Sequence, residues 1–90
     1  MRIDKFLKLS RISKRRTVAK KLCDNGNVFY GEEDKKIKPS HDVEAGDIIT
    51  IYIYDKKIVF KIKKIPKNKN VSKQKARKLY DIITEDKVES

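Results

Sequence analysis

Hydrophobic residues follow two different rhythms along this chain. Ile3, Phe6 and Leu7 fall at helical spacing, with Asp4 in the first turn, which predicts a short helix ending near Leu9. Ser10-Arg11-Ile12 reads as a brief connection. Ser13 is a candidate cap for a second helix running to about Asp24, with Val18, Ala19, Leu22 and Cys23 on its apolar face. Asn25-Gly26 stops it. The rhythm then changes. Val28-Phe29-Tyr30 and a segment around Ile37 read as short strands, and Pro39 closes the second. From Ile48 to Tyr54, Ile49, Ile51 and Ile53 alternate with Thr50, Tyr52 and Tyr54, the period-two pattern of a sheet with one buried face. Ile58, Phe60 and Ile62 alternate in a return strand after Asp55-Lys56-Lys57, giving a hairpin. Ser72 then predicts a last helix to about Glu85, docked through Ala76, Leu79, Tyr80 and Ile83, with the final residues 86–90 frayed.

These elements make an α+β fold of one small domain: two short N-terminal helices on a mostly antiparallel twisted sheet, plus a C-terminal helix. Residues 1–65 form the main unit. Residues 66–90 form a basic linker and a helix docking back on it.

Charge adds the next constraint. Residues 1–22 hold nine bases against one acid, residues 23–55 hold three against eight, and residues 56–78 hold eleven against none. Segregation on this scale suits a polyanion, and nucleic acid leads because neutralised phosphates release condensed counterions. At ninety residues the chain has little room for a catalytic cleft, so an exposed working face is expected. Cys23 has no second cysteine to bridge, and with His41 as the sole histidine no Cys/His metal set can form. His41 beside Asp42 has no nucleophile motif near it and reads as a loop residue. No phosphate-loop, dinucleotide or paired-carboxylate motif is present. The expectation is therefore no enzyme, no cofactor and no metal. There is no apolar leader and no run long enough to cross a membrane, so a cytoplasmic location is expected.

The ordered set Arg2-Ile3-Asp4, Arg15-Arg16, Ala19, Leu22, Gly26, Val28, Gly31, Val43, Gly46-Asp47, Ile49 and Ile51 resembles the RNA-binding domain named after small-subunit ribosomal protein S-four, over roughly residues 1–54. The opening Met-Arg-Ile-Asp-Lys-Phe-Leu, the basic stretch, and Ala76, Leu79 and Tyr80 extend the likeness. At full length the chain is similar to the stand-alone bacterial S-four proteins of the RqcP (YabO) family, relatives of the small heat-shock ribosome-binding protein. The resemblance implies a non-catalytic factor of ribosome-associated quality control. Such a factor binds stalled large subunits through rRNA and peptidyl-tRNA, and supports a protein partner that adds a C-terminal tail to the nascent chain. A monomer is expected. The chain departs from the module at Val28-Phe29-Tyr30-Gly31, where an Asn-Gly turn is usual and three acids follow, so no RNA contact is assigned to that loop.

The resemblance implies that Arg2, Asp4, Lys5, Arg11, Arg15 and Arg16 lie along the two helices that face RNA, with Arg16 and Arg2 foremost. Lys14 and Lys20 share the basic face of the second helix. Arginine suits this task because its planar fork binds phosphate bidentately and stacks on bases. Asp4 is assigned to orienting a neighbouring arginine or capping the helix. Arg15 and Arg16 are about 100° apart on a helix, so one ligand need not take both. Tyr52 and Tyr54 either pack against a neighbouring element, such as the C-terminal helix, or stack on bases; packing is the favoured reading. Three other readings stay open: a heat-shock-type recycling factor, a DNA-binding regulator built on the two short helices, and an adaptor for acidic proteins.

Overall fold

The computed structural model describes residues 1–13, 21–31, 35–53, 56–67 and 71–87. Its elements run α1 (Ile3–Leu9), a helical α2 at residues 21–24, β1 (Val28–Tyr30), β2 (Lys35–Lys36), β3 (Ile48–Ile53), β4 (Lys56–Ile62), α3 (Lys73–Ala76), a 3-10 turn (Arg77–Leu79) and β5 (Tyr80–Lys87). The five strands form one antiparallel sheet in the order β2-β1-β3-β4-β5.

Alternation decides which face of the hairpin is buried. Ile49, Ile51, Ile53, Ile58, Phe60 and Ile62 point to one side and join Ile3, Phe6, Leu7 and Cys23 in the core. Phe6 of α1 stacks on Phe60 of β4, with centroids 6.3 Å apart and planes 9° from parallel, which seats the helix on the sheet. Thr50 and Val59 are buried on the opposite side, outside that cluster. Tyr52 lies there too and packs edge-on against Phe29 of β1 at 5.8 Å. The predicted packing of Tyr52 thus occurs, but against β1 and not the C-terminal segment. Tyr54 lies outside the described residues.

The C-terminal segment differs from the helix the sequence predicts. Ser72 does cap a helix, accepting from the Lys75 amide at 3.2 Å, but α3 ends at Ala76 and the chain leaves the 3-10 turn at Leu79 as a strand. Ala76, Leu79, Tyr80 and Ile83 satisfy helical spacing. Yet Ile82, Ile83 and Thr84 are consecutive β-branched residues, which favour extended backbone. The edge of β4 supplies the unpaired backbone groups that β5 satisfies. A bulge at Val59/Phe60 absorbs one residue of β5. The strand continues through Lys87, so residues 86 and 87 are paired and not frayed. Leu79 stays buried and Tyr80 meets Phe60 edge-on, while Ile83 is 47% exposed and does not dock.

The first residues are tied down by the loop before β3. Arg2 and Asp42 form an isolated antiparallel bridge, the Ile3 amide donates to the His41 carbonyl at 2.8 Å, and the Val43 amide donates to the Met1 carbonyl at 2.9 Å. Arg2 is therefore held in place. At the other end of α1, Arg11 takes the left-handed conformation at φ 62°, and its amide donates to the Lys8 carbonyl at 3.0 Å, turning the chain out of the helix.

Candidate nucleic-acid interface

Arg2 and Asp4 are the best-defined pair among the expected RNA-facing residues. The Arg2 guanidinium Nη2 lies 3.2 Å from Asp4 Oδ2; the arginine side chain is 47% exposed and the aspartate 2%. Asp4 Oδ1 also accepts the Lys5 amide at 2.7 Å. The buried acid therefore acts on the helix start and on Arg2, whose side chain stays about half exposed to solvent. Lys5 follows half-buried in the first turn. Arg2 also borders a depression of about 410 Å³ shared with Asp24, Lys38 and Ser40.

Arg11 is not brought to that place. It stands beyond the opposite end of α1, roughly 10 Å along the axis for a seven-residue helix. Its Nη2 donates to the Val71 carbonyl at 3.2 Å. Lys14, Arg15, Arg16 and Lys20 lie outside the described residues.

Through Val71, Arg11 is linked instead to a group that the sequence pattern does not single out. Lys64, Lys67, Lys75 and Lys78 line a cavity of about 460 Å³ with Val71 and Leu79. The sequence shows a lysine-rich run but not which members converge. The hint is the three-residue spacing of Lys75 and Lys78 beside Leu79, which places both around one turn.

The loop around Asp47, which meets the end of β4 through the Ile62 amide at 2.8 Å, is acidic and structural. Tyr30 donates to Asp47 Oδ1 at 3.0 Å, and Asp47 Oδ2 accepts the Glu44 amide at 2.8 Å. That hydrogen bond raises the Tyr30 hydroxyl pKa, with the Asp47 charge adding to it. His41 stacks obliquely on Tyr30 at 5.8 Å, with its carbonyl on the Ile3 amide, so it has a loop-holding role. Cys23 is buried, and desolvation, then Asp4 and Asp24, push its thiol up to about 12. It is a core residue. Among the described residues no cluster of three His, Cys, Asp or Glu could hold a metal, and no helix is long and apolar enough to cross a membrane.

Residues 1–49, which carry α1, the Arg2–Asp4 pair and the first strands, match the S4 domain. The chain belongs to the S4-domain family. Full-length relatives of this S4 protein include the RQC P-site tRNA stabilizing factor of Bacillus subtilis (strain 168), 35% identical over 88 residues that span 98% of each chain. The factor of the same name from Streptococcus pneumoniae is 37% identical over 89 residues, covering 99% of this chain and 97% of its own. Among solved structures, the trimeric Vibrio cholerae Heat Shock Protein 15 superposes with a TM-score of 0.81 at 30% identity, covering 91% of this chain and 80% of that one. The solution structure of a hypothetical protein gives 0.77 at 33% identity, covering 93% of this chain and 98% of that one. The likeness to the curated relatives extends past the S4 segment into the lysine cluster and β5.

Proposed function

We propose that this chain is a non-catalytic RNA-binding factor of ribosome-associated quality control. It binds stalled large ribosomal subunits through rRNA and peptidyl-tRNA, and supports C-terminal tailing of the nascent chain by a partner protein. The observation that carries this reading is end-to-end similarity to relatives named RQC P-site tRNA stabilizing factor. The geometry supports it physically. A-form RNA offers shape and phosphate positions more than base edges, and a pinned, half-exposed Arg2 is built to read those. Arg2, Lys5, Arg11 and the undescribed Lys14, Arg15, Arg16 and Lys20 supply the cations, with Asp4 as the positioning residue. The chain acts as a monomer in the cytoplasm. Residue 65 marks a functional division, with residues 66–90 adding contacts to the main RNA-binding unit.

Co-sedimentation with large subunits carrying peptidyl-tRNA, against empty large subunits, tests the proposal. Retention on the loaded particles is expected, with loss after RNase treatment. The double change Arg2→Ala with Arg16→Ala should weaken binding by about 1–3 kcal/mol for each guanidinium removed. Unchanged sedimentation of that variant would remove the proposed face.

The superposition on Heat Shock Protein 15 favours one alternative, a heat-shock-type ribosome-recycling factor. Binding that is indifferent to stalled particles, and induced by heat, would support it instead.

A further inference from the structure

We propose that the cavity between the end of β4 and the 3-10 turn is a pocket for one nucleoside phosphate unit, in the form of an unpaired nucleotide of the bound RNA. The inference rests on the RNA-binding reading only for the source of that unit. Four ammonium groups, on Lys64, Lys67, Lys75 and Lys78, line the cavity, and no acid is among its described lining residues. None of the four is ion-paired to a carboxylate among the described residues. The lysines are exposed, whereas Leu79 is buried and Val71 half-buried against the core. The site therefore has a cationic rim over an apolar floor, which Pro66 extends.

That combination selects a ligand class. Four unpaired cations exclude a basic peptide or a metal ion. An apolar floor is wasted on inorganic phosphate but suits the flat face of a base. A volume of about 460 Å³ is in the range of small-molecule sites and fits one nucleotide. The site is also held ready. The Leu79 carbonyl accepts the amides of Lys63 at 2.8 Å and Lys64 at 3.3 Å, which fixes the segment after β4 to the 3-10 turn. Val71 of the lining is in turn tied to Arg11, whose Nη2 donates to the Val71 carbonyl at 3.2 Å. Arg11 comes from the α1 region, so an RNA strand lying along α1 is led to this pocket, where one extruded nucleotide can enter.

The test uses the full chain and two RNA hairpins of equal length. One carries a single unpaired 2-aminopurine and the other is fully paired; ATP is a third probe. The proposal expects tighter binding of the unpaired hairpin and a change in its 2-aminopurine fluorescence. The double variant Lys75→Gln with Lys78→Gln should weaken that binding by about tenfold and abolish the preference for the unpaired hairpin over the paired one. Lys35→Gln with Lys36→Gln removes the same charge from β2 and should leave the preference intact. Lys64→Gln with Lys67→Gln provides a second reading of the pocket should the first variant misfold. Saturable ATP binding that needs these lysines, with no preference between hairpins, assigns the pocket to a free nucleotide. No preference and no ATP binding overturns it, as does an equal loss in the β2 control. The paired hairpin and large-subunit sedimentation report the general RNA-binding face separately, so failure of one reading leaves the other standing.

Discussion

The Arg2 guanidinium lies 3.2 Å from the Asp4 carboxylate, and of the two side chains only the acid is buried. An acid inside the proposed RNA-binding face is unfavourable on charge alone. It is useful if it fixes the direction of the arginine, because a side chain already ordered gives up less entropy on binding.

Asp4→Asn separates these effects by sign. Removing a negative charge should tighten RNA binding if the long-range field decides, and loosen it if orientation decides. A several-fold loss of affinity is expected in fluorescence anisotropy at fixed salt. Because Asp4 is buried, a stability loss of about 1–3 kcal/mol should accompany it.

Arg11 holds a left-handed backbone at φ 62° while its side chain reaches Val71. An L-residue there costs about 1–2 kcal/mol, which glycine avoids. Arg11→Ala keeps the strain and loses the hydrogen bond. Arg11→Gly loses the bond and relieves the strain. Thermal melts should therefore rank the glycine variant above the alanine variant by about 1 kcal/mol, and both should bind RNA less well than the parent chain.

Burial raises the Cys23 thiol from its ordinary 9.0 to about 12. The unfolded chain ionises this thiol from about pH 9 while the folded chain keeps it neutral. Its contribution to stability is thus complete below pH 9 and is lost as pH rises through about 12. Subtracting the stability profile of Cys23→Ala from that of the parent isolates this slope from lysine titration. At pH 8 the thiol should react with a disulfide reagent only as fast as the core opens.

Ending the chain after Leu79 deletes β5, Tyr80 included. It removes the edge-on packing of Tyr80 on Phe60 at 5.8 Å and bares the outer edge of β4. A marked drop in melting temperature and a tendency to aggregate are expected. A truncated chain that melts like the full one would contradict the role given to this strand.

The β3–β4 hairpin is readable from sequence because each strand states its own buried face: Ile49, Ile51 and Ile53 on one, Ile58, Phe60 and Ile62 on the other. The segment after Ala76 is not. Its helical spacing is a local signal, and the partner that makes it a strand is the distant edge of β4. At the site, Arg2 and Asp4 are two residues apart and their pairing is foreseeable. The lysine pocket is not, because Lys64 and Lys67 come from one segment, Lys75 and Lys78 from another, and the Leu79 carbonyl joins them.

The β4–β5 ladder also divides the lysine run into two unlike parts. Lys56 lies 4.0 Å from Glu85 and Lys63 lies 3.7 Å from Asp81, while Lys57 and Lys61 stand opposite Asp86 and Asp81. Four members, Lys56, Lys57, Lys61 and Lys63, are muted by neighbours of opposite sign, whereas Lys64, Lys67, Lys75 and Lys78 have no carboxylate partner among the described residues. Within this run, the uncompensated positive charge of the described residues therefore lies past the end of β4. A polyanion within a Debye length, about 8 Å in physiological salt, is therefore drawn more strongly to that end of the run than to the ladder before any contact forms.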